Sequence, residues 1–174
     1  MIWLVLWLHL LALGIWLGAV VCFSFVVAPA LFGGLPVEQA GAAMSLIFPG
    51  YYALGYGAGA VLLVTALVLR RWTRPGGAAW LASSWIAGLA LVAALYAGLV
   101  VQPDAAALRP QLHQADVPPA VRAEFDALHD RAVQLNGAVL FAQLVLIGIL
   151  AAQLRGAAVA PRRLSRFGSS ELSL

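Results

Sequence analysis

The chain has 174 residues, of which 63% are hydrophobic and 10% are charged, and its formal net charge is +3. A soluble domain of this length needs more charge at its surface, so the composition excludes that class and indicates a membrane protein. The arginines lie mostly at the ends of apolar stretches, as is typical of residues that orient membrane spans. We therefore predict lipid as a partner and no binding of nucleic acid.

The first thirty residues form an apolar stretch long enough to cross a bilayer. They lack a basic leader region, which favours a retained span over a signal peptide. Gly14 and Gly18 form a GxxxG pair, which favours close approach of another helix. Pro29 is predicted to kink or end this span near Ala28, because proline lacks an amide proton.

A connection over residues 29–49 follows the first span. Within it, residues 37–48 are predicted to form a short interfacial helix with apolar side chains toward the membrane. Pro49 and Gly50 are predicted to end that helix.

The second predicted span covers about residues 51–69. Tyr51 and Tyr52 open it and are typical of the aromatic belt at a membrane boundary. Gly55 and Gly59 supply a second GxxxG pair, for packing within the chain or between copies of it. Three arginines close this span on the predicted cytoplasmic side: Arg70, Arg71 and Arg74.

The third predicted span covers about residues 79–101 and ends at Gln102 and Pro103. Residues 104–119 are polar enough to predict a loop. His113 lies in this loop and is only a weak metal-ligand candidate.

A helical pattern follows Pro118 and Pro119 and continues for about 35 residues, or ~50 Å, which is longer than the bilayer is thick. We therefore predict a fourth helix that extends beyond the membrane and crosses it over about residues 133–154. The domain prediction is a transmembrane unit over residues 1–155, followed by a polar, disordered cytoplasmic tail over residues 156–174.

These elements predict an all-α integral membrane protein, a four-helix bundle. If both arginine clusters are cytoplasmic, spans two and four run inward and both termini are cytoplasmic. The predicted location is a bacterial inner membrane.

Polar residues recur at steps of seven along the last helix: His129, Asn136 and Gln143. Polar groups are costly in lipid unless they face protein or water, so this stripe predicts a polar route or binding cavity. Asp126 extends the stripe toward the outer side, and the span-two tyrosines Tyr51 and Tyr52 complete the predicted site. The alternative is that Asn136 and Gln143 only form hydrogen bonds between helices.

His9 is the candidate ligand for a metal or cofactor, because imidazole inside a span can bind copper, zinc or haem iron or relay protons. The alternative is a neutral ring that is hydrogen-bonded in the core. Helix rise separates His9 from His129 by about 25 to 30 Å, which argues against one shared metal ion. No motif of a hydrolase, phosphate-binding loop or zinc enzyme occurs, so the sequence favours no enzyme class.

Two stretches, LHLLALGIWLGAVVCFSFVVAPALF and MSLIFPGYYALG, resemble the transmembrane protein 205-like family, as does FDALHDRAVQLN in the last helix. The resemblance implies a four-helix membrane protein, and an animal relative is linked to tolerance of metal drugs. The first helix is also similar to the copper-resistance protein D group and to membrane protoporphyrinogen oxidases, at His9, Trp16 and Gly18. That similarity implies copper or haem.

Three functional hypotheses follow. The first is a protein that binds or moves a small solute or metal ion through the polar interior along the fourth helix. The second is a haem-binding redox protein that uses His9. The third is a structural membrane partner that forms homo-oligomers through its glycine faces.

Overall fold

The structure is a computed structural model that describes residues 1–72, 77–112, 114 and 116–159. The helices are, in chain order, α1 (Ile2–Cys22), a first π segment (Phe23–Val27), α2 (Ala28–Gly34), α3 (Val37–Trp72), α4 (Gly77–Tyr96), a second π segment (Ala97–Val101), α5 (Gln102–Leu112) and α6 (Pro119–Val159). Arg74, His113 and most of the predicted tail (residues 160–174) lie outside the described residues.

Four helical stretches are long and apolar enough to cross a membrane: Ile2–Gly34, Val37–Trp72, Gly77–Leu112 and Pro119–Gln153. Helices suit this role because each spanning backbone group must find its hydrogen-bond partner within the protein. The predicted all-α, four-helix membrane fold is confirmed. The long last helix is also confirmed, since the 41 residues of α6 extend about 60 Å, twice the thickness of a ~30 Å hydrocarbon core.

The bundle is held together through α3 and α4, which pack against each other. α1 packs on α3, and α6 packs on α4 and also touches α1. Small residues line the buried face of α4 and let the neighbouring backbones approach closely; they are Ser83, Ser84, Ala87, Ala90 and Ala94. The core therefore lies where α1, α3, α4 and α6 meet.

Two prolines stand in equivalent positions, because each follows a π segment by two residues. Pro29 follows the segment that ends at Val27, and Pro103 follows the one that ends at Val101. A proline ring collides with the carbonyl four residues earlier in an α-helix. That carbonyl lies in the middle of the π segment in both cases, so the wider helical turn relieves the collision. The chain therefore continues as a helix past both prolines.

Several predicted boundaries are corrected by this continuity. Pro29 does not end the first helical stretch, and Pro103 does not end the third. Residues 37–48 are the first turns of α3 and not a separate interfacial helix, and Pro49 lies inside α3. A proline removes one backbone hydrogen bond, whereas ending a helix in lipid exposes several polar groups.

The connection between the third and fourth spans is also more helical than predicted. α5 occupies residues that the sequence assigns to a loop over 104–119. α6 continues through Val159, beyond the predicted domain boundary at residue 155.

Candidate functional site

Asn136 joins three helical elements through its side-chain amide. The Tyr51 hydroxyl of α3 donates a hydrogen bond to Asn136 Oδ1. Asn136 Nδ2 donates in turn to Ser24 Oγ of the first π segment, at 2.8 Å. Interhelical hydrogen bonds of this kind stabilise membrane proteins by about 0.6 kcal/mol each. We call Ser24, Tyr51 and Asn136 the polar cluster.

A small cavity lies beside the polar cluster in the interior of the bundle. About 20 Å³ of it is open to the centres of water-sized molecules. That is room for about one water, which needs ~10–15 Å³ by this measure. Residues from all four spanning stretches line it: Trp16, Tyr51, Tyr52, Gly55, Ala93, Ala94, Ala97, Leu135, Asn136 and Val139.

Trp16 forms one wall of the cavity and is only 2% exposed. Two glycines of α3 make space for its indole ring. A Cβ atom added at Gly59 would lie 2.9 Å from two ring carbons, and one added at Gly55 would lie 3.1 Å from the indole nitrogen. The predicted glycine pair of α3 thus seats a side chain of α1.

Tyr52 and Tyr56 pack against Gly98 of the second π segment. A Cβ atom added at Gly98 would lie 2.6 Å from Tyr52 Cγ and would also collide with the Tyr56 hydroxyl. That hydroxyl is buried and has no hydrogen-bond partner among the described residues. Both π segments therefore contribute to the surroundings of the cavity, the first through Ser24 and the second through Ala97 and Gly98.

Gln143 lies two turns along α6 from Asn136 and is 0% exposed. Its amide nitrogen and oxygen both lack a hydrogen-bond partner within the described ranges. Leaving a buried polar group unpaired costs about 1–3 kcal/mol in protein mutational data. Val139, which lines the cavity, lies between Asn136 and Gln143 in the sequence. The buried face of α6 thus carries a carboxamide that is free to accept and donate hydrogen bonds.

His9 is 2% exposed and lies 2.8 Å from Thr65 through Nδ1 and Oγ1. The Thr65 hydroxyl uses its single proton toward the carbonyls of its own helix, with Val61 O at 2.7 Å. The contact fits the neutral imidazole tautomer that carries its proton on Nδ1 and donates it to Thr65.

The surroundings of His9 do not fit a haem. The ring packs edge-on against Trp80, with 5.3 Å between the ring centroids, and Thr65 encloses another side. A porphyrin ligand needs open volume beside the imidazole, and this ring is almost fully enclosed. The described residues also include no group of three or more histidine, cysteine or acidic side chains that can hold a metal ion.

The remaining predicted site residues lie away from the interior. His129 and Asp126 are exposed, on the part of α6 that precedes the polar cluster. The structure therefore brings together Asn136, Tyr51 and Tyr52 around the cavity but leaves His129 outside it. Gly14 and Gly18 are exposed on α1, and no atom of another described helix lies within 4 Å of where a Cβ would be.

Ser24 and Thr65 are absent from the site that the sequence predicts. Each is a single hydroxyl in an apolar helix, and its importance depends on a partner 112 or 56 residues away. The sequence offers one sign of each π segment, which is a proline near the end of an otherwise uninterrupted apolar span.

The fold and the buried polar groups define a polytopic integral membrane protein with a small polar interior. Residues 11–114, more than half of the chain, match the family described as a domain of unknown function (DUF4149). The chain belongs to this family. No curated protein and no solved structure matches the chain.

Proposed function

We propose that this protein binds a small polar solute or ion in the membrane interior and passes it along the buried face of α6. The unpaired carboxamide of Gln143 is the observation that carries the proposal. A fully buried amide without a partner is costly, and a ligand or water that bonds to it recovers that cost. Along the helix axis, Asn136 of the polar cluster lies about 10 Å from Gln143, and Val139, which lines the cavity, lies about 6 Å from it.

The size of the cavity limits what can pass without movement. Room for about one water excludes larger solutes in this conformation. Passage of anything larger requires the helices to separate around Trp16 and Tyr52. The π segments favour such movement, because each precedes a proline that cannot donate a backbone hydrogen bond.

Gln143→Leu tests the proposal in proteoliposomes. Uptake of urea, Na⁺ and chloride is measured separately for wild type, the variant and empty vesicles. We expect wild type to accelerate at least one probe and Gln143→Leu to reduce that rate about tenfold, since losing one hydrogen bond to a desolvated solute costs about 1–2 kcal/mol.

Gln134→Leu is the matched control, because Gln134 is an exposed glutamine of the same helix. We expect it to transport like wild type. Equal rates for wild type and empty vesicles with all three probes would contradict the proposal, as would a Gln143→Leu variant that transports like wild type.

The orientation that we propose follows from the arginines. Arg70 and Arg71 end α3, and Arg155 lies near the end of α6, at the same end of the bundle as Met1. Basic residues flanking spans favour the cytoplasmic side. We propose that this end faces the cytoplasm of a bacterial inner membrane, with both termini inside.

A second candidate is a structural role through self-association of α1. Gly14 and Gly18 face outward with open space above them, and the exposed Cys22 follows on the same helix side, four residues after Gly18. Two copies that pack through these glycines would bring their Cys22 side chains close together, because small residues permit close helix approach.

Oxidative cross-linking of native membranes tests this second role. We expect a disulfide-linked dimer through Cys22 that is lost in Gly18→Leu, while Gly137→Leu, a change at an exposed glycine of α6, leaves it intact. A cross-link of equal yield in Gly18→Leu would exclude packing through this glycine.

A further inference from the structure

The polar cluster of Ser24, Tyr51 and Asn136 brings a set of neutral oxygen atoms together in the interior of the bundle, beside the small cavity. We propose that this set is a binding site for a monovalent alkali cation. The inference rests on the proposed function and names the class of ion that the interior takes.

The first π segment supplies a backbone oxygen as well as a side chain. The Ala28 N–H donates to Phe23 O, five residues back, in the π pattern. The next amide in that pattern would reach Ser24 O, but residue 29 is proline and has no N–H. The Ser24 carbonyl therefore has no helical donor, at the residue whose hydroxyl already contacts Asn136.

The second π segment repeats this arrangement. The Gln102 N–H donates to Ala97 O. Pro103 cannot supply the next hydrogen bond, which leaves the Gly98 carbonyl without a helical donor. Ala97, the residue before Gly98, lines the cavity, as do Tyr51 and Asn136 of the polar cluster. In transport proteins, backbone carbonyls that lose their helical donor inside the membrane coordinate Na⁺.

The chemistry of the cluster favours a monovalent ion. The side-chain atoms that would bind the ion are the neutral oxygens of Ser24, Tyr51 and Asn136, and no carboxylate of the described residues lines the cavity. Divalent cations require carboxylates or imidazoles for tight binding. The cavity admits one water-sized species, which suits an ion stripped of most of its water.

The charge outside the cluster favours a cation over an anion. A groove between α5 and α6 is lined by Asp104, Glu124 and Arg131. Arg131 and Asn136 are five residues apart, about 7.5 Å along α6. Acidic residues outnumber arginines two to one at this end of the bundle. The acidic residues are Glu38, Asp104, Asp116, Glu124, Asp126 and Asp130, and the arginines are Arg109, Arg122 and Arg131. Such a surface raises the local cation concentration.

The test measures the thermal unfolding midpoint of the full chain in detergent as NaCl or KCl replaces choline chloride at constant ionic strength. A ligand that binds only the folded state raises this midpoint with concentration. We expect a saturable rise with Na⁺ or K⁺, and about a tenfold or greater loss of affinity in Asn136→Leu, since this variant removes one oxygen contact to the ion.

Two further variants and one control keep the test decisive if Asn136→Leu does not fold. Ser24→Ala removes one oxygen from the cluster and should weaken the response, whereas Gln134→Leu should leave it unchanged. Asn136→Asp keeps an oxygen at Oδ1 and adds a negative charge, so it should tighten binding and add a response to Ca²⁺.

Equal midpoints in Na⁺, K⁺ and choline would overturn the inference, as would an unchanged response in both Asn136→Leu and Ser24→Ala. Gln143-dependent uptake of urea or chloride with no alkali-cation response would leave the proposed function standing and refute the cation site alone.

Discussion

Trp16→Ala should destabilise the protein by about 3–5 kcal/mol, the range for removing a large buried aromatic side chain. Trp16 of α1 is 2% exposed, and its ring packs on Gly55 and Gly59 of α3. Its removal enlarges a cavity that already exists beside the polar cluster. The loss of free energy increases with the empty volume left behind. The value therefore falls low in the range if the helices collapse around Tyr52 and Val139, and high if they do not.

The measurement is reversible unfolding of the detergent-solubilised protein in increasing sodium dodecyl sulfate. Trp85→Ala is the matched control, because Trp85 is 68% exposed on the outer face of α4. It should cost much less, since lipid or detergent replaces most contacts of that ring. Similar losses in the two variants would contradict the position of Trp16 in the core.

Gly98→Ala should destabilise the protein by about 1–3 kcal/mol through overpacking. The added methyl group would lie 2.6 Å from Tyr52 Cγ, close to that residue's backbone, where the ring has little freedom to move. It would also collide with the Tyr56 hydroxyl. In a helix free of such contacts the same change would be favourable, because alanine has the higher helix propensity.

Gly88→Ala provides the comparison for Gly98→Ala. A Cβ at Gly88 would meet Leu63 Cδ1 at 3.9 Å, an ordinary contact, so this change should not destabilise. Tyr56→Phe in the Gly98→Ala background should restore part of the stability, since among the described residues the Tyr56 hydroxyl has no hydrogen-bond partner to lose. Equal unfolding free energies for the two alanine variants would show that Tyr52 and Tyr56 do not pack on Gly98.

The number of spans follows from hydropathy, because the bilayer fixes how many apolar residues a helix needs, and the length of α6 follows from the helical pattern after Pro118 and Pro119. The ends of the helices do not. In water a proline commonly marks a helix boundary, and on that basis Pro29, Pro49 and Pro103 each predict a helix end. In lipid the cost of exposed backbone groups keeps the helix intact, and a π segment precedes Pro29 and Pro103 but not Pro49.

The candidate site could be predicted only in part. The spacing of seven predicts Asn136 and Gln143 on one inward side of α6, and in the structure Gln143 is buried and Asn136 is half-buried. His129 has the same spacing but is exposed, because seven residues fall about 20° short of two full turns and because at this level α6 has α5 beside it, which contacts other residues of α6. Ser24 and Thr65 could not be predicted, since their hydrogen-bond partners come from distant helices.

The central claim is that Gln143 is kept in the interior for a ligand and not for the fold. Unfolding free energy and proteoliposome uptake measured on the same Gln143→Leu sample test it most directly. The account predicts that stability rises by about 1–3 kcal/mol, as a buried unpaired amide is replaced by an apolar group of similar size, while uptake falls. A variant that loses stability and keeps full uptake would contradict it, because Gln143 would then serve only the packing of the bundle.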